Sequence, residues 1–235
     1  MTGALLATTL ARVRGSSDPW ILLLIFGGIA IILAAVWWFE RARKRAIVEG
    51  LRGRGFEVRE TSRALDPADD APLLGNPLLL FKRNKVRWSA MGAHNGNVVR
   101  LHEYSFTTGY GKSQQTHVLV FASAELPIGL PEFTIERKRW LTSHRPAIRG
   151  EPPPVQDARL AEFVCYAADA SGAAAVLTPG VCEEIAAWDK KYMLRCAGGW
   201  VSVGRRGAGR ISEIDDLLGR LDRVFNAIVA GLSAA

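Results

Sequence analysis

The residue types that could do chemistry gather in the middle of the chain. His102 and Glu103 stand on one stretch of alternating apolar and polar residues. His117 stands on the next, with TTGYGKS (Thr107–Ser113) between them. Two imidazoles facing each other across a hairpin need a third ligand, a thiolate or a carboxylate, to hold a metal. The sequence marks none, and His102-Glu103 lacks the second His of an H-E-x-x-H helix. Gly111-Lys112-Ser113 matches the end of a phosphate-binding loop. However, Phe106 stands where the first Gly of that motif belongs, and a strand follows where a helix is needed. TTGYGKS therefore reads as a hairpin turn. Ser105 is a strand neighbour of His102 and cannot form a triad with it. A pocket uniting His102, Glu103 and His117 near this turn would mark an enzyme or a ligand-binding domain.

Other polar clusters have blander readings. Asp66, Asp69 and Asp70 lack the D-x-D-x-D-G pattern of a calcium loop and read as a solvated loop. Cys165, Cys182 and Cys196 are odd in number, widely spaced and without a C-x-x-C, so they read as small buried apolar residues. No cofactor and no metal is expected.

Positive charge is the stronger signal. The 235 residues carry 30 Lys and Arg against 23 Asp and Glu, a net charge of +7. Three clusters stand out: Arg41, Arg43, Lys44 and Arg45; Lys82, Arg83, Lys85 and Arg87; and Arg137, Lys138 and Arg139. Trp88 and Trp140 lie beside the second and third. Cations interleaved with aromatics could bind single-stranded nucleic acid. Solvated loop ends are the blandest reading; of the two functional readings anionic headgroups are the better, because the first cluster flanks a membrane span.

That span is Trp20 to Phe39, WILLLIFGGIAIILAAVWWF, an uncharged apolar run. As a helix it is roughly 30 Å long, the thickness of a bilayer's hydrocarbon core. Trp20, Trp37 and Trp38 sit where an interfacial aromatic belt belongs. A cleavable signal peptide has a shorter apolar region and a small-x-small end, whereas this run closes on WWFERARKR. A soluble core helix would show a polar face. Gly27 and Gly28 do not make a G-x-x-x-G dimer motif. The cation excess after Phe39 places the following domain in the cytoplasm and the N-terminus outside.

Four segments follow from this reading: an exterior tail (1–19), the transmembrane helix (20–39), a basic juxtamembrane helix (40–55) and a cytoplasmic α+β domain (56–235). Within the domain, alternation predicts strands at Gly55–Glu60, Lys85–Met91, Asn97–Phe106, Thr116–Ala124 and Leu130–Lys138. Asn95-Gly96 supplies a hairpin turn, and the connections suit an antiparallel meander. A Pro-rich connection covers Arg139–Arg159. A strand is expected over Arg159–Tyr166, a helix from Thr178-Pro179, and a hairpin about Ala197-Gly198-Gly199. Ile211, Ile214, Leu217, Leu218, Leu221, Val224, Phe225, Ile228 and Leu232 form one face of a final helix made to lie on the sheet.

LHEYSFTTGYGKSQQTHVLVF, LPEFTIE and AAVLTPGV together resemble a group of uncharacterised bacterial membrane-anchored proteins. There, a span with a basic flank precedes a domain with an E/D-Y-x-Y-T-T-G-x-G-K hairpin and an L-P-x-F strand. Glu103, Tyr104, Thr107, Thr108, Gly109, Gly111 and Lys112 fit that hairpin, and Phe106 stands where Tyr is usual. The resemblance implies an architecture and carries over no catalytic residue. The expected protein is thus single-pass and non-enzymatic, an interaction, scaffold or accessory subunit at the cytoplasmic face of a bacterial inner membrane. Its partners would be anionic lipid headgroups and another membrane protein, with nucleic acid disfavoured.

Overall fold

The structure is a computed structural model that describes residues 19–60, 62–66, 70–73, 85–108, 114–138, 151–207 and 209–233. The chain divides into two compact units, residues 1–46 and residues 47–235. The exterior tail before Pro19, the turn glycines Gly109 and Gly111, and Lys82, Arg83, Arg139 and Trp140 lie outside the described residues.

The first unit is the apolar part of helix α1, Pro19–Arg52. Among the described residues this is the one helix long and apolar enough to cross a membrane, and none of its most apolar stretch is buried within the protein. A soluble core helix would bury that stretch. Gly55, at φ +84°, takes the left-handed conformation that lets the chain turn just beyond the helix end, and Phe56 N–H caps the Leu51 carbonyl at 3.0 Å.

The second unit is an α+β domain. One eight-stranded antiparallel sheet holds β1 (Glu57–Arg59), β2 (Lys85–His94), β3 (Asn97–Thr108), β4 (Gln115–Glu125), β5 (Phe133–Arg137), β6 (Phe163–Ala167), β7 (Tyr192–Ala197) and β8 (Trp200–Arg206), in the order β1-β2-β3-β4-β8-β7-β5-β6. The helices are α2 (Ala170–Val176), α3 (Pro179–Ala186) and α4 (Ile211–Ser233). An apolar N-terminal helix, an antiparallel sheet and a packed C-terminal helix are the architecture expected from the sequence.

The sheet divides by the two-residue alternation of its strands. On one face Trp88, Ala90, Val99, Leu101, Val120, Ala122, Ala124, Val201 and Val203 share a core with Ile214, Leu217, Leu221, Val224 and Ile228 of α4, and with Ile47 and Leu51. On the other, Val86, Tyr104, Phe106, Leu119, Phe121 and Met193 form a smaller core with Leu73. A bulge at Arg87 lets β2 serve both cores, because it offsets Val86 from Trp88. Gly204 is needed beneath Phe121: a Cβ there would stand 2.5 Å from the ring.

Two expectations need correction, and one helix is not among them. First, the meander stops at β4. The β7–β8 hairpin inserts between β4 and β5, so that β5 pairs with β7 and β6. The connection after β4 crosses the hairpin's end, where Leu126 N–H donates to the Gly199 carbonyl at 2.6 Å. A Cβ at Gly199 would come within 3.1 Å of the Leu126 carbonyl, so the close crossing depends on that glycine. Second, the strand expected over Arg159–Tyr166 begins later. Asp157 caps a 3-10 turn over Ala158–Leu160, and β6 follows at Phe163. That helix, α2, has no apolar periodicity to announce it; its start is the Asp169 cap, which accepts from Ser171 N–H. Thr178 does precede α3 as its N-cap, without a side-chain cap bond.

Acids in the first turns of α4 tie it to its neighbours. Asp215 pairs with Arg54 at 2.8 Å, Asp216 accepts from Tyr192 at 2.5 Å, and Glu213 pairs with Arg205.

Candidate functional site

The sheet register places two rows rich in polar residues on the face away from α4. One row runs Arg59, Ser89, His102, Phe121, Gly204, Met193, Glu136 from β1 to β5. The next runs Glu57, Met91, Arg100, Ser123, Ser202, Arg195, Thr134, and ends at Tyr166 of β6. Val58, between Glu57 and Arg59, points into the helix-side core. At the β1–β3 end these rows line a cavity of about 160 Å³, walled by Glu57, Arg59, Ser89, Met91, Arg100 and His102 together with Ala90.

His102 is 1% exposed and is held from behind. Its Nε2 lies 3.2 Å from Asp70 Oδ1. Asp70 is itself fully buried and accepts two bonds from the Arg63 guanidinium, at 2.5 and 2.9 Å, and one from Asp66 N–H at 2.7 Å. Burial alone would raise its pKa; the bonds from His102, Arg63 and Asp66 outweigh that and hold it well below the usual carboxylate range. Asp70 therefore corrects the solvated-loop reading. A loop acid can be buried when a guanidinium from the same loop supplies a bidentate partner. No local period signals that pairing.

Further along the same face Glu136 is buried beside Tyr166, whose hydroxyl donates to it at 3.1 Å. Burial pushes the Glu136 carboxyl up to about 7, against the Tyr166 bond and the Arg206 charge. Arg206 is lowered by its own burial to about 9. Arg195, 1% exposed, donates to Glu132 at 3.1 Å and lies 3.5 Å from Thr134 Oγ1. Ser123 and Ser202 are opposed across β4 and β8, both fully buried. Neither hydroxyl has a hydrogen-bond partner among the described residues.

His102, Glu103 and His117 are not brought together. His102 and His117 share a face, but His117 lies opposite Phe106, four positions further along β3. That is about 13 Å at the rise of a strand. His117 stacks on Phe106 with ring centroids 5.1 Å apart. Glu103 points to the other face and pairs with Arg87 at 3.1 Å. Ser89 is directly across from His102, yet no hydrogen bond joins them among the described residues, so no nucleophile–base pair is formed.

The cations expected at the membrane surface have varied settings. Arg41 and Arg45 are exposed, Arg41 with its guanidinium over the Trp37 ring at 5.2 Å. Arg43 pairs with Glu40 at 3.0 Å, and Lys44 is half-buried. Lys85 is exposed, while Arg87 is drawn to buried Glu103. Arg137 lies over the Phe163 ring at 5.5 Å and near Glu162, and Lys138 donates to the Ala161 carbonyl at 2.6 Å.

Among the described residues no group of three His, Cys, Asp or Glu could hold a metal. The three cysteines are buried free thiols, and burial raises Cys165 and Cys182 to about 11.

No family model matches the sequence. No curated protein matches it either. The fold is similar to that of the crystal structure of the mycobacterial trehalose monomycolate transport factor A, TtfA. The TM-score is 0.54 at 10% identity, over 81% of this chain and 96% of that one. At this identity the similarity is one of fold.

Proposed function

We propose that the protein is a membrane-anchored, non-enzymatic accessory or scaffold subunit at the cytoplasmic face of a bacterial inner membrane, crossing it once with the N-terminus outside. The observation that carries this reading is α1. Its apolar stretch is long enough to cross a bilayer, its basic residues follow immediately, and its last turns contribute Ile47 and Leu51 to the domain core. The fold of a transport factor supports an accessory role beside another membrane protein. Among the described residues His102, Glu103 and His117 are not gathered into one pocket, so they lend no support to the enzyme reading. The resemblance of the Glu103–Lys112 hairpin to that of other bacterial membrane-anchored proteins is in keeping with this reading.

Cysteine labelling tests the topology. In intact cells an impermeant reagent should label Ser17→Cys and leave Ser233→Cys untouched; the reverse pattern places the domain outside.

Anionic headgroups are the proposed surface partner. The unit from Ile47 onward should bind anionic liposomes weakly and neutral ones hardly at all. Binding should fall as salt rises, because exposed charges are screened beyond about 8 Å at physiological ionic strength. Replacing Lys82, Arg83 and Lys85 with Ser should weaken it further. Tight binding of single-stranded nucleic acid, without liposome binding at low salt, would replace lipid with nucleic acid as the partner.

A further inference from the structure

The cavity between β1, β2 and β3 goes beyond the anchoring role and does not rest on it. Its lining residues include Arg59, Arg100, Glu57 and His102, whose imidazole is buried. Arg59 Nε lies 3.6 Å from Glu57, and the Arg100 guanidinium carbon lies over the Trp200 ring, 4.9 Å from its centroid. The decisive group is His102. Its Nε2 is engaged by Asp70, and its Nδ1 is buried with no hydrogen-bond partner among the described residues. Buried polar atoms are almost always satisfied, so an unsatisfied nitrogen on a side chain that lines the cavity marks a place for a ligand atom.

We propose that this cavity binds a small oxyanion, the carboxylate or phosphate end of a ligand, with Arg59, Arg100 and His102 as its receptors. Asp70, backed by Arg63, is a positioning residue. It is ionised, so the ring presents Nε2–H to it, and this fixes which nitrogen is left for the cavity. Nδ1 is then a bare acceptor in the neutral ring and a second N–H donor in the imidazolium. An oxyanion selects the donor form, drawing a proton from solvent onto Nδ1 to make a charge-assisted bond. The charged groups facing the ring are Asp70 with Arg63 behind it, Arg59, Arg100 and Glu57. At about 160 Å³ the cavity is smaller than the roughly 300–1,000 Å³ that holds a drug-sized ligand. It therefore takes only a charged end, and the rest of a larger ligand would leave past β1, the edge strand.

The test uses the full chain with ¹⁵N-labelled histidine in uncharged detergent micelles near pH ~7. The His102 ring signals are assigned with His102→Gln. Titration with inorganic phosphate, and separately with acetate, should shift the His102 ring signals saturably while those of His94 and His117 stay put. Arg59→Gln, on the exposed edge strand, and Arg100→Gln should each weaken the response about tenfold or more, the loss of one charge-assisted bond. Asp70→Asn should release the ring from its single tautomer before any ligand is added; an unchanged tautomer would refute the positioning role. Short-chain phosphatidic acid in the micelles separates the sources. A response to it without one to phosphate assigns a lipid headgroup, and a response to phosphate or acetate assigns a soluble ligand. A His102 signal indifferent to all three, or a response that both arginine variants leave unchanged, overturns the site. Liposome binding and topology could fail with this result intact, and the reverse holds as well.

Discussion

On one side of the sheet Val99, Leu101, Val120, Ala122, Val201 and Val203 meet the apolar stripe of α4. On the other, the sheet holds half-buried Arg100 and, fully buried, His102, Ser123, Ser202, Arg195 and Glu136. Apolar burial stabilises in proportion to area and asks for no particular partner. A buried polar group must find its own partner, and the cost of failing is large. The helix side can thus hold the fold together under many conditions. The polar side is held by the smaller apolar core about Phe106 and Phe121 and by a few specific pairs, Asp70 with Arg63 and His102, Glu136 with Tyr166, Arg195 with Glu132. It is also the side with the cavity, and with the Ser123 and Ser202 hydroxyls that have no hydrogen-bond partner among the described residues. The contrast assigns stability to one face and recognition to the other.

The largest effect should come from the helix side. Leu221→Ala is expected to cost about 2–5 kcal/mol and Phe225→Ala about 3–5 kcal/mol, since both are buried in the core. Denaturant unfolding followed by tryptophan fluorescence measures this, and the loss should be the same in mild acid and at neutral pH. Variants as stable as the parent would mean that α4 does not hold the sheet, and the contrast would collapse.

Asp70→Asn should cost about 2–4 kcal/mol at neutral pH, less than for a wholly buried pair because Arg63 is partly exposed. Its pH dependence is the sharper test. The Asp70 carboxyl is lowered in the folded state, so its contribution is present above the unfolded value of about 3.9 and is lost as pH falls toward the lowered one. Acid unfolding of the parent should therefore be steeper below pH ~4 than that of the variant. Parallel acid limbs would show that Asp70 is not ionised by its partners.

Glu136→Gln should give a smaller effect of opposite sign. The carboxyl is raised from 4.5 to about 7, so the folded state favours its protonated form. The parent should lose about 3 kcal/mol relative to the variant as pH climbs through that interval, and nothing more above it. Urea titrations at either end of the interval read this difference. A flat difference would mean that water reaches Glu136 and that the polar face is less dry than its exposure indicates.

Local order in the sequence was enough for the apolar span of α1, the Asn95-Gly96 turn, the alternation of β2, β3 and β4, and the stripe of α4. Each is a periodicity or a turn preference expressed over a few neighbouring residues. The alternation even assigns Arg100 and His102 to one face and Val99 and Leu101 to the other. Which strands stand side by side is a different matter. The insertion of β7–β8 between β4 and β5 depends on the Gly199 crossing and on hydrogen bonding along both exposed edges, and no local pattern records it. The same holds for Asp70, which looks like any loop acid until Arg63 folds over it and His102 arrives from another strand. Those neighbours are chosen by tertiary packing, because burying a charge is tolerable only where the partner is already in place.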